Sequence, residues 1–393
     1  MDIVLTREQD LLFKTALDFA QNALTPDQIR ALAEQEPAFD SNLWRRMAEM
    51  GWAGAMFTAD YGGSGLTLFE LALIIEACAQ AALPHPLFSS VIEAGLLIAG
   101  AGSAAQRQAW LPRLVSGETV LTAAIFEPSG GFDPTEIQTR AEPSASGYRL
   151  NGIKLFVRDA AAAEAIVVLA RSGASQDDLS LMLIPSSAPG LVCQRLAATG
   201  GEALYEVTLT DVDVQHQNIL GKPSCAWPHI TALHNRGACL KAAELVGIGQ
   251  AALDLTLSYA KTRVQFGRPI GSFQAVHHHC AQMYRDLQAC RLLTYQATTR
   301  LAEGQTATRE VAIAKAKASQ AVPGITRLAH QIHGATGYYR TYPLELYYHR
   351  ALAAQAAYGD VMHHRRRLAR HLQLDLAGFR ANNPHQLPVY ASC

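Results

Sequence analysis

Apolar positions near the start of the chain recur at helical spacing. Leu11, Leu12, Ala16, Phe19 and Ala20 follow Thr6 and Gln9, a pair spaced as a capping box, so a helix is expected to begin there. The same spacing predicts helices over 41–50, 67–81 and 104–115, with 60–65 (DYGGSG) breaking the pattern as a loop. Between 119 and 226 the period shortens. Val207, Leu209, Val212 and Val214 stand in near-alternation with polar residues, and 165–170 and 181–184 are short apolar runs. Asn151-Gly152 sits between two strand-like stretches and predicts a hairpin turn. From 227 onward the long alanine-rich pattern returns over 242–262, 274–302 and 308–330, with Pro323 as the one internal proline.

This order predicts an α+β protein with segregated elements: an N-terminal helical domain (1–118), a middle β-barrel or sandwich domain (119–226), a C-terminal four-helix bundle (227–381) and a loose tail (382–393). Composition sharpens this picture. Apolar residues make up 49% and charged residues 17%, enough for large cores and unlike a disordered chain. A formal charge of −1 lacks the basic footprint of a nucleic-acid binder. Neither a signal peptide nor a bilayer-spanning run is apparent, so no membrane insertion is expected. The seven cysteines are scattered without a CxxC, which fits reduced thiols and a cytoplasmic location. Adjacent His277, His278 and His279 on a helix point about 100° apart and cannot share one ion, so no metal site is expected. The basic run from His363 to Arg367 reads as a solvated helix face.

Several short motifs carry chemistry. Arg263-Val-Gln-Phe-Gly-Arg-Pro-Ile270, followed by Phe273-Gln274, places a guanidinium and a glycine where a long helix ends. Gln331-Ile-His-Gly-Ala-Thr-Gly-Tyr338, followed by Tyr342-Pro343, offers backbone N–H groups at a second turn. Upstream stand Leu43-Trp44, Tyr61-Gly-Gly63, Trp110-Leu-Pro112, Glu127-Pro128 and Asn151-Gly152 with Lys154-Leu-Phe156. Together, in this order over almost the whole chain, they resemble the acyl-CoA dehydrogenase family.

The resemblance implies an FAD cofactor, an acyl-CoA thioester substrate and introduction of an α,β double bond, with electrons passing to an electron-transfer flavoprotein. It implies a homo- or hetero-tetramer in which Arg263, Gln265, Phe266, Gln274, Gln331, Gly334 and Ala335 reach the flavin of a neighbouring subunit. A guanidinium suits the cofactor's pyrophosphate. The flavin ring would lie against Ile125, Phe126, Phe156 and Val157. The chain departs from the pattern at Phe126 and Arg158, where a hydroxyl often donates to the ring, and at Phe132, where a serine often meets the thioester.

The reaction needs a carboxylate to take the proton beside the thioester carbonyl. Counting from Gln331 places Tyr358 at the family's usual base position, and counting back from Arg263 places Gly237 at the alternative one. A phenol with an ordinary pKa of about 10 is a poor base near neutrality. Asp360, two residues past Tyr358, is the nearest carboxylate and the candidate catalytic residue; Glu244, two helical turns beyond Gly237, is another. A chain of this kind without its own base resembles one subunit type of the mixed assemblies that act on steroid side chains. A flavin monooxygenase of the same fold, or a non-catalytic acyl-CoA-binding or partner-binding subunit, are the alternatives.

Overall fold

The computed structural model describes residues 5–372; the 382–393 tail lies outside them. The first region is helical: α1 (Arg7–Ala23), α2 (Pro26–Ala33), α3 (Ser41–Glu49), α4 (Leu68–Gln80), α5 (Leu96–Ala101) and α6 (Ala104–Val115). The Thr6–Gln9 capping box is formed in full, and Thr25, Thr67 and Ser103 cap their helices in the same way. Between α4 and α5 lies a nine-residue π-helical segment, Leu87–Gly95, buried along its whole length. Such widened turns gather at functional sites.

The middle region is one sheet of eight strands: β1 (Leu121–Ala124), β2 (Arg140–Ser144), β3 (Gly147–Arg158), β4 (Ala165–Arg171), β5 (Leu179–Pro185), β6 (Leu191–Arg195), β7 (Leu204–Gln215) and β8 (Ile219–Leu220). Its order is β6-β7-β3-β2-β4-β5-β8, with β1 beside β4, and these ladders do not close into a barrel. Strands β4 and β5 read as unbroken apolar runs because both faces are covered. Val167, Leu169, Leu181 and Leu183 pack with the N-terminal helices, whereas Ile166, Val168, Met182 and Ile184 pack against β3 and β7.

The expected turn at Asn151-Gly152 is not there. Strand β3 runs straight through, and the β2–β3 hairpin turns at Ala145-Ser146, between the paired Ser144 and Gly147. Asn151 instead binds across the sheet: its side-chain oxygen accepts from Asp211 N at 2.8 Å and its amide donates to Asp211 Oδ1 at 3.1 Å. The ladder slips by a bulge there, and a Cβ on Gly152 would strike Thr139.

The C-terminal region begins with α7 (Trp227–Thr262), one continuous 36-residue helix. A small hairpin follows, β9 (Val264–Gln265) and β10 (Arg268–Pro269), and then α8 (Gln274–Ala302) and α9 (Thr308–His333). Two shorter helices, α10 (Leu344–Ala356) and α11 (Val361–His371), pack along α9. The bundle is thus three long helices completed by two short ones. Among the described residues no helix is long and apolar enough to cross a membrane, and no group of three His, Cys, Asp or Glu could hold a metal.

Candidate active site

The middle domain supplies one wall. Strand β1 runs into Ile125-Phe126-Glu127, and Leu155 N of β3 donates to Phe126 O at 2.9 Å. Beneath this link Lys154 Nζ lies 2.6 Å from Glu127 Oε1, with both side chains buried. Glu127 also accepts from Gln138 N at 2.6 Å and Thr139 N at 3.1 Å. Burial pulls Lys154 down to about 8 despite the carboxylate beside it. Burial pushes Glu127 up, but Lys154 and the backbone donors outweigh it, and Glu127 ends below its ordinary value. This buried pair fixes the end of β3, where Phe156 stands 50% exposed at a φ of +57°. A bulky side chain held in the left-handed region costs about 1–2 kcal/mol, and such strain gathers at sites of function. Ile125 is buried and Phe126 half-buried beside it. The side chain of Val157 points into the sheet core, so only its backbone is available to a ligand.

Facing this wall is the turn between α10 and α11. Tyr358 is buried there at a φ of +55°. Its ring centre lies 6.1 Å from that of Phe126, and a Cβ added to Gly237 would sit 2.2 Å from its edge. The two positions from which a carboxylate was sought are therefore in contact, and the phenol fills the space over the glycine. The phenol donates to Glu93 Oε1, on the π-helical segment. Arg158 Nη1 lies 2.6 Å from the same oxygen, and its guanidinium carbon is 5.4 Å from the Tyr358 ring centre. Burial raises the pKa of Tyr358 well above its ordinary value and raises that of Glu93.

The turn itself is clamped from below. Lys315 Nζ donates to Gln355 O at 2.9 Å, Gly359 O at 3.0 Å and Ser319 Oγ at 2.8 Å, while His364 Nε2 lies 2.9 Å from Tyr358 O. Asp360 is exposed and caps α11, its Oδ1 accepting from His363 N at 2.7 Å. Glu244 lies 2.8 Å from Lys241 Nζ. Phe132 joins the aromatic cluster, its ring centre 5.4 Å from Phe126, 4.7 Å from His234 and 4.5 Å from His363.

The remaining candidate residues lie elsewhere. Arg263, Gln265, Phe266 and Gln274 are exposed around the β9–β10 hairpin, whose two-residue turn is Phe266 at φ +54° and Gly267 at φ +77°. Two left-handed residues define the hairpin turn that matches strand twist, and phenylalanine is a costly choice for the first of them. Phe266 is 91% exposed. Gln331, Gly334 and Ala335 are exposed where α9 ends, with Gly334 at φ +57°. The two segments are held at the same end of the molecule. Tyr259, on the last turn of α7, stacks on His333 at 4.4 Å, and its hydroxyl is 3.3 Å from Thr336 Oγ1.

From Gly237 to Arg263, α7 rises about 39 Å. Within one protomer the aromatic cluster around Tyr358 and the exposed β9–β10 hairpin therefore lie far apart along α7.

Family profiles match the chain in three consecutive pieces: the acyl-CoA dehydrogenase N-terminal domain over residues 6–118, the middle domain over 122–212 and the C-terminal domain over 227–373. The chain belongs to the acyl-CoA dehydrogenase family. Among relatives, a probable acyl-CoA dehydrogenase of Bacillus subtilis, YngJ, is 32% identical over 356 residues, covering 88% of this chain and 92% of the relative. The butyryl-CoA dehydrogenase of Megasphaera elsdenii superposes with a TM-score of 0.87 at 29% identity, covering 95% of this chain and all of the other. A variant of the steroid ACAD Tcur3481-Tcur3483 superposes with a TM-score of 0.84 at 30% identity, covering 93% and 98%. This acyl-CoA dehydrogenase fold is the one expected from the motifs, with its middle domain an open sheet.

Sequence reasoning missed Glu93 and Lys315. Glu93 left a trace as a lone carboxylate in a mostly apolar run, and the buried Arg158 needs an acid.

Proposed function

We propose that this chain is an FAD-dependent acyl-CoA dehydrogenase subunit that relies on a carboxylate supplied by a partner subunit. One observation carries the reading: the two positions that serve the family as bases hold a glycine and a phenol, and the phenol is locked onto a buried Glu93. A phenol raised above its ordinary pKa keeps its proton at neutrality and acts as a donor. Glu93 is spent on Arg158 and Tyr358, and Asp360 is spent on a helix cap.

The residues present fit the flavin. Phe156 offers an exposed ring face, Arg263 an exposed guanidinium, and Gly334 an open backbone where an added Cβ would meet nothing within 4 Å. Arg263, Gln265, Phe266, Gln274, Gln331, Gly334 and Ala335 of a neighbouring protomer would hold the dinucleotide. Ile125, Phe126, Phe156 and the Val157 backbone would hold its ring. Bound FAD supplies the hydride acceptor. The chain's own part is to orient the thioester beneath Phe126 and Phe132, to exclude water with the aromatic cluster, and to keep Tyr358 protonated. On this reading the tetramer is mixed, and an electron-transfer flavoprotein re-oxidises it.

The test is to purify the chain alone and co-expressed with a homologue that carries the glutamate, and to assay dye reduction with CoA thioesters. The lone chain is expected to retain yellow flavin and to turn over about 10²–10⁴-fold more slowly than the mixed assembly, the usual loss when a proton-transfer group is missing. Comparable rates would overturn the reading.

A further inference from the structure

The turn that carries Tyr358 is held by a buried amine with no acid beside it. Lys315 lies on α9 with its side chain fully buried, and among the described residues it forms no ion pair within 4.0 Å. The charged and titratable groups that face it are Lys241 and Glu244 on α7, Asp360 at the turn and His364 on α11. Glu244 lies 2.8 Å from Lys241 Nζ, and Asp360 is exposed and caps its helix. Burial, with Lys241, pulls Lys315 down to about 7. Keeping a charge in such a place costs free energy.

The charge is matched instead by three oxygens. Nζ donates to Gln355 O, Gly359 O and Ser319 Oγ. The Ser319 hydroxyl gives its own proton to Gln355 O at 3.2 Å, so towards Lys315 it only accepts. An ammonium has three N–H groups and fills all three places, whereas a neutral amine has two. Tyr358 and Gly359 are both left-handed, at φ +55° and +97°, and their carbonyls are met by side chains from outside the turn, Lys315 and His364. That conformation is costly for a tyrosine.

We propose that Lys315 is the positioning residue of Tyr358. Its ammonium, reaching across from α9, holds the left-handed pair 358–359, and that pair carries the phenol over Gly237 to Glu93. Only the catalytic meaning of this lock rests on the acyl-CoA reading above.

The experiment is a double-mutant cycle on the flavin-loaded full-length chain. Melting temperatures are compared at fixed protein and flavin concentrations and at pH 6, where Lys315 is charged. Tyr358→Phe removes only the phenol's bond to Glu93. In the wild-type background it should lower the melting temperature by about 2–5 °C, the effect of one hydrogen bond to a buried carboxylate in a chain of this size. If Lys315 positions Tyr358, Lys315→Met has already parted the phenol from Glu93, and adding Tyr358→Phe should cost less than about 1 °C more. A merely structural Lys315 would leave the Tyr358→Phe loss undiminished, and that additivity overturns the proposal. So does the absence of any loss in the wild-type background. Should Lys315→Met not fold, Ser319→Ala takes its place. It removes one of the three oxygens and should at least halve the Tyr358→Phe effect; an unchanged effect overturns the proposal in the same way. No thioester enters the cycle, so a failure of the acyl-CoA reading in the assay above leaves its result standing.

Discussion

Phe156, Phe266 and Tyr358 share a backbone conformation that large residues avoid, and all three stand at positions that the family resemblance assigned to the cofactor or the base. None of this shows in composition or periodicity. The motifs pointed to the three residues; the strain at them appears only once φ is known. Asp360 shows the opposite case. Its distance from Tyr358 along the chain made it the nearest acid, but the turn swings it onto the first N–H groups of α11. Asparagine caps a helix as well as aspartate, so Asp360→Asn should leave stability unchanged and, if the residue is not the base, activity within a few-fold. Asp360→Ala should cost about 1 kcal/mol on thermal unfolding. A hundredfold activity loss in the asparagine variant with an unchanged melting temperature would restore Asp360 as the base.

Asp159 gives a pH prediction. Burial raises its carboxyl from 3.8 to about 7, so between those values the folded chain holds a proton that the unfolded chain has released. Its contribution to stability is whole below about 4 and is lost as pH rises through 7. Asp159→Asn removes the titration and tolerates the left-handed backbone at φ +52°. The variant's melting temperature, measured against wild type, should climb across that window and level off above it. A constant difference would show that the group titrates normally.

Among the elements, the capped helices and the doubly covered strands were readable because periodicity and cap chemistry act locally. The Asn151-Gly152 turn was misread for a physical reason: Asn-Gly favours left-handed turns in isolation, but here a cross-strand partner, Asp211, satisfied the amide and made a bulge of it. The π-helical segment, LFSSVIEAG, is buried along its whole length, so its apolar and polar residues show no one-sided period to read. The β9–β10 hairpin carries its own prediction. Phe266→Gly relaxes a strained turn and should leave the melting temperature equal or higher. The same change removes an exposed ring proposed to meet the cofactor, so flavin should dissociate more readily from the purified protein. Full flavin retention would show that Phe266 has no cofactor role.

For the whole molecule, the motifs made the order of domains legible, but not the distance between the two halves of the site. That distance is set by α7, which separates Gly237 from Arg263, and so the proposed ring wall from the proposed phosphate cradle, by about 39 Å. A shared site of this kind predicts complementation. Phe156→Asp damages the wall and Arg263→Met damages the cradle, so each alone should purify nearly free of flavin. Co-expressed, half of the dimers would be mixed and each would carry one intact site, restoring about a quarter of the wild-type flavin. No recovery, with both chains present in one oligomer, would place the whole cofactor site within a single protomer.

The phenol lying across Gly237 also constrains the history this chain can have. A glutamate introduced at 237 would collide with the aromatic ring before it could meet any substrate, so that ancestral or engineered route to self-sufficiency is shut while the tyrosine stands. If a partner supplies the base, as proposed above, independence would have to be regained in a fixed sequence, with position 358 changed first.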